Sequence, residues 1–170
     1  MFLAKIFVVA AAIATAPLIA PPSAAGTGAQ SASGSGQFEF TSDAGVTGLR
    51  TFAFEASKSS DGSVIGEAEV KNRAIGVTFH IRIDCLNLIS NVAVASGTVT
   101  AASGPGTAVG DAEIFGVQDN GEGTNAPPDL ITPAFGNTGI VCTDITAQAL
   151  PGLSGLFNPV QEGNIQVHSM

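Results

Sequence analysis

The sequence predicts an all-β fold: a single antiparallel β-sandwich or flattened β-barrel of about 7–9 strands with one disulfide. Three observations lead there. Apolar residues alternate with period two along much of the chain, which is the signature of half-buried strands. Gly-containing turn clusters separate these runs at intervals of roughly 8–14 residues. No amphipathic helical window of about ten residues or more interrupts them, so strands alternating with helices are not expected.

Taken from the N-terminus, the first segment reads as an export signal. Met1 to Lys5 carries one positive charge, Ile6 to Ala20 is an uncharged Val/Ala/Ile/Leu run, and Ser23-Ala24-Ala25 supplies small residues for cleavage. Charged, apolar and small regions in that order are a secretory signal peptide over residues 1–25. Pro17 interrupts the run, which argues against a membrane anchor. Residues 26–36, almost wholly Gly, Ser, Ala and Thr, read as a flexible leader, since they offer little apolar surface to offset the entropy of ordering. The all-β domain is then expected over residues 37–170, with no transmembrane span in the mature form.

Ala74 to Cys85 is the clearest strand. Ile75, Val77, Phe79, Ile81, Ile83 and Cys85 fall on one face, and Thr78, His80, Arg82 and Asp84 on the other. Before it come Arg50–Ser57, with Phe52 and Phe54 on one face, and Val64–Val70. After it, Val92, Val94 and Val99 mark two strands about a turn at Ser96-Gly97. Glu113–Asp119, Ile140–Ile145 and Asn164–His168 complete the set.

Composition excludes several functions. Six basic residues face fourteen acids, a formal charge of −8 that argues against nucleic acid as a partner. Trp and Tyr are absent, which removes the rings on which sugar-binding modules stack their ligands. Cys85 and Cys142, the only cysteines, read as one disulfide in an exported protein, with both side chains expected on inward faces. The two histidines do not fall at zinc-ligand spacing with them.

Candidate chemistry is sparse. His80, Arg82 and Asp84 share one strand face and could form an acid–base cluster, but a solvated sheet face accounts for them. His168 stands beside the C-terminus. No G-x-S-x-G elbow is present; Gly152-Leu153-Ser154-Gly155 lacks its spacing. The loop Asp119-Asn120-Gly121-Glu122-Gly123-Thr124-Asn125, with Asp129 beyond Pro127-Pro128, offers Asp119, Glu122 and Asp129 as oxygen ligands for calcium. It does not match EF-hand spacing, and Asp-Asn-Gly is a favoured turn, so a turn without metal is expected.

Four motifs occur in order: Arg50-Thr51-Phe52-Ala53-Phe54, the Gly76–Asp84 strand, Asp119-Asn120-Gly121-Glu122-Gly123, and Gly163-Asn164-Ile165-Gln166-Val167-His168. From about Gly34 to His168 the chain thereby resembles the small secreted bacterial β domains of the post-COAP type. It departs from them where Glu122-Gly123 lacks an intervening proline, where Glu162 replaces a glycine, and in a longer stretch from Thr124 to Pro159. The resemblance implies an extracellular all-β module without established activity and with no catalytic residues to carry over.

The functional expectation is an exported, secreted or periplasmic, non-catalytic structural or interaction module that takes no cofactor. Its partner would be an extracellular protein or surface. The alternatives are a carrier of a small apolar ligand in the barrel interior, lined by Phe52, Phe54 and Phe79, and a hydrolase built on acids and His80. For the three phenylalanines the competing reading is simple core packing.

Overall fold

The structure is a computed structural model that describes residues 29–42, 45–123 and 125–169, so the expected signal peptide lies outside the described residues. It is a curled antiparallel half-barrel made from one sheet, and thus not a sandwich of two. Among the described residues seven strands have seven residues or more: β1 (Gln30–Thr41), β2 (Thr47–Lys58), β3 (Val64–Asn72), β4 (Val77–Ile89), β5 (Val92–Ser103), β6 (Ala112–Gln118) and β10 (Glu162–His168). Three two-residue strands complete it: β7 (Leu130–Ile131), β8 (Phe135–Gly136) and β9 (Asn158–Pro159).

The spatial order is β10-β1-β2-β3-β4-β5-β6-β7-β9, with β8 also on β6. The outermost strands, β9 and β10, are consecutive in the chain, and only Val160 and Gln161 separate them. The two edges of the sheet are therefore tied together by a short covalent link. The Gln161 amide strengthens it by donating to the Gln37 carbonyl of β1 (2.9 Å).

Over residues 30–36 the chain is the first part of strand β1, where a flexible leader is expected. Gln30–Gln37 pairs with β2 along its whole length and with β10 from Ser31 onward. Small residues are what this position needs: a Cβ on Gly34 would come within 2.8 Å of the Asn164 carbonyl oxygen and 2.9 Å of Ile165 Cγ1. The Gly/Ser composition that looks like a linker in the one-dimensional sequence is here a close inter-strand fit. The ordering cost is met by two ladders of backbone hydrogen bonds, which composition does not reveal.

The alternation over β4 holds from Val77 to Ile83, whose odd residues are buried while His80 and Arg82 are exposed. Ile75 is an exception: it sits in the turn before the strand, 50% exposed. The parity then changes. A register shift against β5 between Ile83 and Cys85 inserts Asp84 as an unpaired residue, so Leu86 points inward and Cys85 and Asn87 point outward. A second shift between His80 and Ile81 does the same to β5, at Thr100.

Two further expectations change. Ser96-Gly97 is no turn, because β5 runs through it from Val92 to Ser103. Gly97 lies against the Arg82 backbone carbonyl, where a Cβ has no room, so this glycine serves close strand approach next to a bulge. The segment Ile140–Ile145 is not a strand; it contains a 3-10 turn at Cys142–Asp144. A four-residue helix, α1 (Leu150–Leu153), and a second 3-10 turn at Ser154–Leu156 follow.

Apolar packing splits accordingly. The main core lies inside the curl and includes Phe38, Phe52, Phe54, Phe79, Ile81, Ile83, Leu86, Phe115 and Ile165. A smaller cluster lies on the outer face, where Val92, Val94 and Ile114 meet Cys142, Ile145, Leu150 and Phe157.

Candidate functional site

The acidic loop turns out to be a clasp. β10 pairs with β1 on one side only; toward β6 and β7 no ladder joins it among the described residues. Carboxylates take the ladder's place. The Ile165 amide donates to Asp129 Oδ2 (2.7 Å) and the Val167 amide to Asp119 Oδ2 (3.0 Å). The second oxygens hold the loop itself: Asp129 Oδ1 accepts from the Asn120 amide (2.9 Å), and Asp119 Oδ1 from the Gly121 amide (2.8 Å). Glu122 Oε1 accepts from Asn164 Nδ2 (2.9 Å). All three candidate calcium ligands thus spend oxygens on amide donors, and among the described residues no His/Cys/Asp/Glu group has metal-site geometry.

Cys85 and Cys142 are joined in a disulfide, Cα–Cα 5.8 Å. The parity change places it on the outer face, which corrects the expected inward orientation of Cys85. There it pins residues 137–157 to the sheet. Asn87 Nδ2 donates to the carbonyls of Cys142 (3.2 Å) and Ile145 (2.8 Å), and the Cys142 amide donates to Ser96 Oγ (3.1 Å). Between this segment and β6 runs an apolar recess of ≈220 Å³, bounded by Ile114, Phe135, Ile145, Leu150, Leu156 and Phe157.

The interior leaves no comparable room. Phe38, Phe52, Phe54 and Phe115 interlock, with ring centroids 5.5–6.3 Å apart, and the space among them is ≈10 Å³. Phe52 and Phe54 are buried members of the core. Phe79 instead reaches the floor of a recess at one end of the curl.

Among the described residues the His80 ring pairs with Glu69 across the strands, at 3.7 Å, with both side chains about half exposed. Arg82 stands opposite Glu67 in the register, and Asp84 is the exposed bulge residue. The cluster of three does not converge. His168 is exposed at the end of β10, opposite Ser31.

The sequence reading missed the recess above Phe79. It opens at the end of the curl among the β3–β4 turn, the loop after β5 and the segment about β8, and its volume is ≈310 Å³. Val70, Val77 and Phe79 form its apolar floor, and Arg50 and Glu113 stand in its wall. Strand parity puts both charges there: Arg50 shares the inward face of β2 with Phe52 and Phe54, and Glu113 shares that of β6 with Phe115 and Val117. Glu113 is only 5% exposed, and its Oε2 has no hydrogen-bond partner. Burial, with the Asp111 charge as the smaller cause, raises its pKa to about 7. Burial likewise lowers that of Arg50, whose guanidinium lies 4.2 Å from the centre of the Phe40 ring. The legible signal was parity alone, since Glu113 occupies an inward position of its strand.

Comparison with family models, curated proteins and solved structures finds no match. No described helix is long and apolar enough to cross a membrane.

Proposed function

We propose that the protein is an exported, non-catalytic β module that acts by binding at its surface, outside the cytoplasm. The observation that carries this is the filled interior: among the described residues the aromatic centre offers ≈10 Å³, whereas wider recesses lie on the outer face and at the end of the curl. The disulfide supports a place in an oxidising compartment. The carboxylates of the acidic loop are engaged in closing the sheet, and His80 pairs with Glu69 on the outer sheet face, where Glu55, Glu67 and Arg82 line the same open recess and offer charge for surface binding. The post-COAP resemblance is consistent with an extracellular module.

Intact and native mass spectrometry of the protein secreted by its own host tests the reading. The expected mature chain begins near Gly26, oxidised, and either free or with a protein partner. A product that retains residues 1–20 removes the export claim. The outer apolar recess favours one second reading, a carrier of a small apolar ligand. A co-purifying lipid, released when Leu150 is changed to Asp, would establish that instead.

A further inference from the structure

We propose that the recess at the end of the half-barrel binds a small zwitterion, with Glu113 receiving its ammonium group and Arg50 its carboxylate. The site is separate from the interior and from the outer apolar recess, and it stands whether or not the protein has a macromolecular partner.

Two features argue for a ligand. First, a carboxyl group is nine-tenths buried with an oxygen that no donor reaches among the described residues. Such a group is costly to keep, and native proteins seldom keep one without a use. Its cross-strand neighbours in the register are Gly97 and Gly136, neither with a side chain to cover it. A Cβ at Gly136 would lie only 2.9 Å from Glu113 Oε1. Second, a half-buried guanidinium in the same recess has an aromatic face beside it but, among the described residues, no carboxylate within ion-pair distance. Opposite charges therefore line one recess without meeting.

The chemistry of the occupant follows from the pair. A simple anion would satisfy Arg50 but lie near Asp111 and Glu113. A simple cation would satisfy Glu113 but lie near Arg50. A molecule with both charges neutralises each wall, and its short carbon chain rests on Val70, Val77 and Phe79. The volume of ≈310 Å³ suits a free amino acid or an ω-amino acid.

Isothermal titration calorimetry of the mature, oxidised protein at pH 8 with glycine, β-alanine, γ-aminobutyrate, 6-aminohexanoate and lysine tests this, with methylamine and acetate as single-charge controls. At least one zwitterion should bind about tenfold or more tighter than either control, and Glu113→Gln and Arg50→Gln should each weaken it about tenfold or more. Arg50→Lys, which retains the charge, should weaken it less; it serves as the cation test if Arg50→Gln fails to fold. Asp111 and Arg50 are the other titratable groups in the wall. Since an ionised Glu113 is the binding form, affinity should fall as pH drops through about 7, and Glu113→Gln should flatten that dependence. The proposal is overturned if no zwitterion binds at about 10 mM, if methylamine or acetate binds as well, or if folded Glu113→Gln retains full affinity.

Discussion

Asp129 shows how a single carboxylate stands in for a missing strand. It is 7% exposed and takes amide donors from the acidic loop and from β10, the latter at the fully buried Ile165. Asp129→Ala leaves both donors unsatisfied, and the expected loss is about 2–4 kcal/mol. At about 2–4 °C per kcal/mol, thermal melts should fall by about 5–15 °C. Asp119→Ala should cost less, because Val167 is only partly buried. Glu113 is the opposite case, a carboxyl that folding disfavours. Its pKa is higher folded (about 7) than in the unfolded chain, so the folded state binds the proton more tightly. Stability therefore falls as pH rises from about 4.5 to 7, and the penalty is complete above that window. Glu113→Gln should raise stability at pH 8 by on the order of 1–2 kcal/mol and change little at pH 4, which melts at the two pH values would read.

At the scale of elements, the bulge at Asp84 decides where the disulfide goes. Without it Cys85 would face the interior; with it, β4 contributes to both apolar clusters. Closing a loop with a sequence separation of 57 stabilises by about 4 kcal/mol in the chain-entropy picture. Because the bond tethers an external segment, Cys142→Ser should expose residues 137–157 to protease and to hydrogen exchange first, while the amides of β1–β4 remain protected. Equal loss of protection across the sheet would show that the segment and the half-barrel unfold as one unit. Gly97 belongs to the same bulged region, and its Cβ has no space against the Arg82 backbone. Gly97→Ala should therefore lower stability by more than about 1 kcal/mol, even though Ala is ordinarily the better strand residue of the two.

At the scale of the whole molecule, closure comes from three sources: the link between β9 and β10, the carboxylate clasp, and the aromatic packing within. In that scheme the acids act as hydrogen-bond acceptors, bonding to Ile165, Val167 and Asn164 without need of a cation. Melts in millimolar calcium and in chelator, at matched ionic strength, should coincide. A site filled to a hundred times its dissociation constant would instead add about 2.7 kcal/mol, a shift of roughly 5–10 °C.

The period-two alternation of Val77, Phe79, Ile81 and Ile83, the Gly-rich turns and the solitary cysteine pair determined an antiparallel all-β chain with one disulfide. These are local properties, since strand parity and turn chemistry act over a few neighbouring residues. The tertiary structure alone decided the rest. Ser31 to Gly36 became a strand because β2 and β10 flank it, a fact that no composition rule contains. Cys85 turned outward because β4 and β5 slip register by one residue, which reverses every side chain beyond. Asp119 and Asp129 became a clasp because β10, some forty residues on, returns beside them. Arg50 and Glu113 came to share one recess because the sheet curls. Alternation along a strand is written in neighbouring residues, whereas register and curl depend on partners distant in the chain, and only the folded sheet brings those together.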